Sequence, residues 1–153
     1  MKSLPGKFLL LTAMVFGYNS YCQPHSTDTV KNSSKDILLK DKWVTDHILG
    51  LDPQTKTYKL TKYNPKGKFA GNITQFLDSV NYHSEYVAWC GNDYFTDVSG
   101  KYKFLEKDKI SIVVEKVSYS GEWTKPTEYR ETKYLTFVIS IVCDTIFLTK
   151  QED

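Results

Sequence analysis

From Lys42 onward, apolar residues recur at every second position rather than every third or fourth, and this period constrains the fold more than any other feature of the chain. The plainest case is Tyr129 to Ile141, where Leu135, Phe137, Ile139 and Ile141 fall on one side and Thr136 and Ser140 on the other. Such a segment lays one face of an antiparallel strand on a core and leaves the other to solvent. Ile110, Ile112 and Val114 alternate similarly, then the apolar phase moves to Val117 and Tyr119, which predicts a β-bulge near Glu115-Lys116. Strands are expected at about 42–50, 56–63, 68–77, 82–90, 101–106, 109–119, 129–141 and 145–150, separated by clusters of Asn, Asp, Gly and Pro. A meander of about eight short antiparallel strands must hide its edges. Closure into a small barrel is the simplest solution, a sandwich the next.

The 153 residues are enough for one ordinary domain. With 41% hydrophobic and 14% aromatic residues the chain is not disordered as a whole. Twenty basic residues against 18 acidic ones exclude a nucleic-acid binder acting through bulk charge, and equally an acidic solvating tail. Lys56, Lys59, Lys62, Lys66 and Lys68, interleaved with Tyr58 and Tyr63, read as a solvated, edge-protecting face rather than a nucleic-acid site.

The first residues read as an export signal. Lys2 and Lys7 precede the apolar run Phe8–Phe16, which is about half the ~20 residues a membrane-spanning helix needs. Ser20-Tyr21-Cys22 fits a small-x-small cleavage pattern, so residues 1–22 form the signal peptide and cleavage between Cys22 and Gln23 releases the mature chain. Lipidation on Cys22 is the competing route, and bulky Tyr21 beside the scissile bond counts against it. Removing Lys2 and Lys7 leaves equal numbers of acidic and basic residues. No later stretch is long and apolar enough to span a membrane as a helix. Residues 23–36 are polar and read as a tether, and Ile37-Leu38-Leu39 as a short helical turn or a plug for the domain that runs over 37–153.

In an oxidising compartment, periplasmic or extracellular, the remaining Cys90 and Cys143 read as one disulfide. Closing a loop of that length is worth about 4 kcal/mol on the chain-entropy estimate.

Two segments resemble a known family. Leu39-Lys40-Asp41-Lys42-Trp43 is similar to the Trp-bearing first strand of lipocalin-like domains, with Asp41 standing in place of the glycine of Gly-x-Trp. Phe137 to Thr149 is similar to the closing hairpin of small exported bacterial lipocalin-like domains. The resemblance covers roughly residues 39–150 and implies an all-β, calycin-type barrel that serves as a binding module.

Catalytic and metal patterns are sparse. No Gly-x-Ser-x-Gly elbow exists, and Glu128 and Glu131 are three apart on a predicted strand, hence on opposite faces. His47, His83 and Glu85 form a conceivable zinc cluster if their strands are neighbours, but solvent-facing strand histidines are commoner, and no metal or cofactor is expected. In Trp89-Cys90-Gly91-Asn92-Asp93-Tyr94-Phe95-Thr96-Asp97, the residues Asn92, Asp93 and Asp97 offer oxygens to calcium without the order of an EF-hand, so an Asx-type turn at a barrel lip is the expectation. The expected function is therefore non-enzymatic. The leading form is a small apolar or amphipathic ligand held in the barrel among interior tyrosines. The other is a protein-interaction or inhibitor module that binds through loops or a sheet edge.

Overall fold

The computed structural model describes residues 34–152. The expected signal peptide, the Cys22/Gln23 cleavage point and residues 23–33 of the tether lie outside the described residues. Helix α1 (Ser34–Lys40) takes in the last residues assigned to the tether, Ser34, Lys35 and Asp36. Nine strands follow: β1 (Lys42–Thr45), β2 (Thr57–Lys62), β3 (Gly71–Phe76), β4 (Asn81–Val87), β5 (Tyr94–Glu106), β6 (Lys109–Gly121), β7 (Glu128–Tyr129), β8 (Tyr134–Val142) and β9 (Thr145–Lys150).

All pairings are antiparallel, and pairing of β5 with β6 turns the sheet β5-β4-β3-β1-β2-β9-β8-β6 into a ring, with β7 attached to β6. The order is not the expected simple meander. β1 pairs with both β2 and β3, so the connection 63–70 runs back across β1 to reach β3. That connection has a physical counterpart on the outer face. Ile73, which alternation assigns to the outside, is nonetheless buried, and Tyr63 and Phe69 of the connection pack ring against ring at 5.3 Å. Residues 46–50, expected to continue β1, leave the sheet after Thr45 instead. Conversely β5 starts at Tyr94, well before the expected start, and takes Tyr94 to Asp97 out of the expected loop. The bulge falls where the phase change placed it: Ser99 pairs with Lys116 and Gly100 with Val114, which leaves Glu115 as the extra residue.

The interior is occupied by the chain's own side chains. Tyr58, Phe76, Tyr82 and Phe137 are buried with Leu60, Ile110, Ile112, Ile146 and Leu148 in one cluster. Phe76 meets Tyr102 edge to face at 4.9 Å, and Tyr58 meets Phe137 at 5.7 Å. Both ends are stopped. At the end where β5 turns into β6, α1 places Leu38 in the core, and Trp43 Nε1 donates to the Leu38 carbonyl at 3.1 Å. At the other end, where β4 leads into β5, residues 48–51 fold inward with Leu49 fully buried. Its amide donates to Ser84 Oγ at 2.9 Å, and that of Gly50 to the Tyr58 hydroxyl at 3.1 Å.

The register also separates the two cysteines. β6 runs from its pairing with β8 near Lys109 to its pairing with Tyr94 at Gly121, so the 88–93 connection and the Cys143-Asp144 turn lie at opposite ends of the ring. A thirteen-residue strand such as β6 spans about 40 Å, whereas a disulfide needs Cα atoms within about 7 Å. The expected Cys90–Cys143 bridge is therefore not formed, and Cys90 is a free thiol.

Gly100 marks the tightest approach in the ring: a Cβ there would lie 1.9 Å from the Val113 carbonyl oxygen and 3.0 Å from the Tyr82 ring. Gly100→Ala is expected to lower stability by roughly 1–3 kcal/mol, seen as a reduced urea midpoint at unchanged slope. Burial together with the nearby Asp78 charge pushes the Tyr102 phenol from its ordinary 10.0 up to about 12, while its hydroxyl donates to the Asp78 carbonyl. The folded state then keeps a proton that the unfolded chain releases, so this contribution is complete below pH 10 and is lost as the pH rises towards about 12. Chemical denaturation across that window should show stability falling with pH, and falling less steeply in Tyr102→Phe.

Candidate binding site at the aromatic rim

Pairing between β4 and β5 ends at Glu85–Asp97, while β5 and β6 continue together to Tyr94–Gly121. The two strands therefore project past their neighbours as an arm at the end stopped by residues 48–51. Alternation on β5, and the phase set by the Glu115 bulge on β6, turn Tyr94, Thr96, Val117 and Tyr119 to the inner side of that arm. Past Gly121 the chain folds back and lays Trp123 over them. Its Nε1 donates to Thr96 Oγ1 at 3.1 Å, and its ring stands edge to face with Tyr94 at 4.9 Å and with Tyr119 at 5.6 Å. Lys125 Nζ sits 4.4 Å from the Trp123 ring centre and 5.4 Å from that of Tyr119.

Polar contacts tie this rim to the inward-folded loop. The Tyr119 hydroxyl donates to Glu128 Oε1 at 2.7 Å, Glu128 pairs with Arg130 at 3.6 Å, and Arg130 Nη1 donates to the Leu51 carbonyl at 2.8 Å. Burial, then the hydrogen bond to Glu128, raises the Tyr119 phenol above its ordinary range. On the β4 side Tyr86 donates to Asp93 Oδ2 at 2.9 Å, and this bond is the main reason its phenol is also raised. Trp89 is 64% exposed, with Lys68 Nζ 3.8 Å from its ring centre. Tyr94 is 56% exposed and Tyr129 81%, so three large rings at this end keep most of their surface in solvent.

The structure distributes the sequence candidates unevenly. His83 and Glu85 are together, as alternation on one strand required, but the third member of their group is Asp97 of β5 rather than His47. The oxygens considered for calcium do not converge: Asp93 engages Tyr86 and the Tyr94 amide, while Asp97 faces His83 at 3.1 Å. Burial first, then the Glu85 charge, raises the Asp97 carboxyl, against the opposing pull of His83. Glu128 and Glu131 form no pair; Glu128 serves Tyr119 and Arg130. Trp123, central to the rim, lies in the 122–127 connection, where no periodicity signals it.

Compared with known proteins, the chain matches no family model, no curated protein and no solved structure. No helix among the described residues is long and apolar enough to cross a membrane.

The rim is predicted to carry little of the fold's stability. Tyr94→Ala removes one exposed edge-to-face contact, expected to cost about 1 kcal/mol. Tyr58→Ala in the core should cost about 3–5 kcal/mol. Urea unfolding of the two variants tests the contrast.

Proposed function

We propose that this is an exported, non-enzymatic binding module that recognises a protein partner through the aromatic rim. The observation that carries the reading is the exposure of Trp89, Tyr94 and Tyr129 at one end, beside the Trp123 stack, while the interior is packed with the chain's own side chains. Solvated aromatic rings beside a polar network are the composition of recognition surfaces, where Tyr and Trp supply rigid contact area at small entropic cost. On this reading the ring of strands is a lipocalin-like barrel in shape, with a strand order different from the up-and-down order of that class.

A second reading, a small amphipathic ligand, is favoured by one feature. A cleft of about 390 Å³ opens between β6 and β8 over the inward loop, lined by Gly50, Val114, Leu135, Arg130 and Lys133. Beneath Gly50 the Tyr82 hydroxyl is buried with no hydrogen-bond partner. Apolar walls beside cationic groups would suit an acid with a short hydrocarbon body.

A photo-crosslinking residue at position 94, compared with one at Lys107 on the opposite end, separates the readings in the native host. The protein-partner reading expects one discrete adduct from position 94, none from 107, and its loss in Trp123→Ala. The same adducts from both positions, or a stoichiometric small molecule in the native mass spectrum of the purified chain, would overturn it in favour of the second.

A further inference from the structure

Beyond the rim, and independent of it, we propose that His83, Glu85 and Asp97 form a binding site for a divalent transition metal, zinc by preference, on the outer face of the β4–β5 pair. His83 and Glu85 are two positions apart on β4, and Asp97 stands directly opposite Glu85 on β5. His83 Nε2 lies 3.5 Å from Glu85 Oε2 and 3.1 Å from Asp97 Oδ2, and one ligand atom from each residue falls within 4.8 Å of the others. Zinc bonds to nitrogen and oxygen of about 2.0–2.1 Å imply ligand-to-ligand edges of about 3.3 Å in a tetrahedron. Two of the three edges are therefore already at the coordination spacing, and the third closes with a carboxylate rotation.

Three further features favour a cation here. All three ligands stand on paired strands, so the sheet holds their backbones in place before any ion binds. Two carboxylates directly opposite one another on adjacent strands repel, and the chain nonetheless places Glu85 and Asp97 in that relation. Both also line a recess of about 260 Å³ with Tyr86, Val87, Ala88 and Phe95, where β4 and β5 part. A fourth coordination position facing that recess would be open to water or to a small donor ligand, the arrangement of exchangeable rather than closed structural sites. One nitrogen with two carboxylates suits zinc better than calcium, which prefers six or more oxygens. The competing cation is Lys116, which lies opposite Ser99 on β6 and acts on Asp97 through space.

The test is isothermal titration of the full chain, stripped with a chelator, with zinc chloride at about pH 7.5 and calcium chloride as the comparison. The proposal expects saturable binding of one zinc per chain, weakened about tenfold or more by His83→Ala and by Asp97→Asn, and unchanged by His47→Ala. The substituted side chains face outward, and circular dichroism verifies that the variants keep the fold. Cobalt in place of zinc gives a second readout, a visible absorption band that His83→Ala abolishes. Absence of one-equivalent binding, affinity unaffected by both ligand variants, or calcium held as tightly as zinc would overturn it.

Discussion

A loop that folds into an apolar ring carries backbone amides with it, and the fold depends on where those amides find acceptors. Leu49 and Gly50 find them in Ser84 Oγ and the Tyr58 hydroxyl. Ser84 in turn shares a 2.7 Å hydrogen bond with Thr74, and Thr74 a 3.4 Å contact with Thr45, so a ladder of hydroxyls crosses β4, β3 and β1 inside the ring. An unpartnered buried amide costs about 1–3 kcal/mol, enough for two of them to exclude the loop. With both satisfied, Leu49 fills the end of the core and the ring is shut there by covalent structure. The rim above is free of that task, which is why its aromatic rings can stay in solvent.

Strand periodicity was legible wherever one face met the core and the other met water. The closing hairpin, the Glu115 bulge and the parity of β4, with Tyr82 inside and His83 and Glu85 outside, all followed from counting in twos. What failed shares a cause. The start of β5 is not legible because Tyr94 to Ser99 alternates Tyr, Thr and Val against Phe, Asp and Ser, a contrast too weak to rise above the neighbouring turn residues. The position of β1 is not legible because nothing local says which strand lies beside which; a connection the length of 63–70 serves a turn or a crossover equally.

The rim and the His83 cluster failed in complementary ways. Trp123 is brought to Tyr94 and Tyr119 by a chain reversal after Gly121, and a reversal has no period. Asp97 joins His83 and Glu85 only through register between β4 and β5, so the sequence supplied two members of the group and chose the wrong third. The Cys90–Cys143 pairing failed on distance: an even count of cysteines does not say that a sheet brings two of them to the same end.

Ring closure has a consequence for how the chain reaches this state. The pairing that joins β2 to β9 matches Thr57 with Thr149 and Thr61 with Thr145, residues from opposite ends of the domain. β3 to β6 follow one another as adjacent hairpins and need only local contacts, but the seam between β2 and β9 closes a loop of most of the chain. Contacts so distant in sequence slow folding, because the entropy of closure is lost before the pairing compensates for it. Until β9 pairs, β2 and β8 each present an unpaired edge. A chain cut short before Thr145 would keep both edges open, which makes β9 the element that turns an aggregation-prone sheet into a closed one.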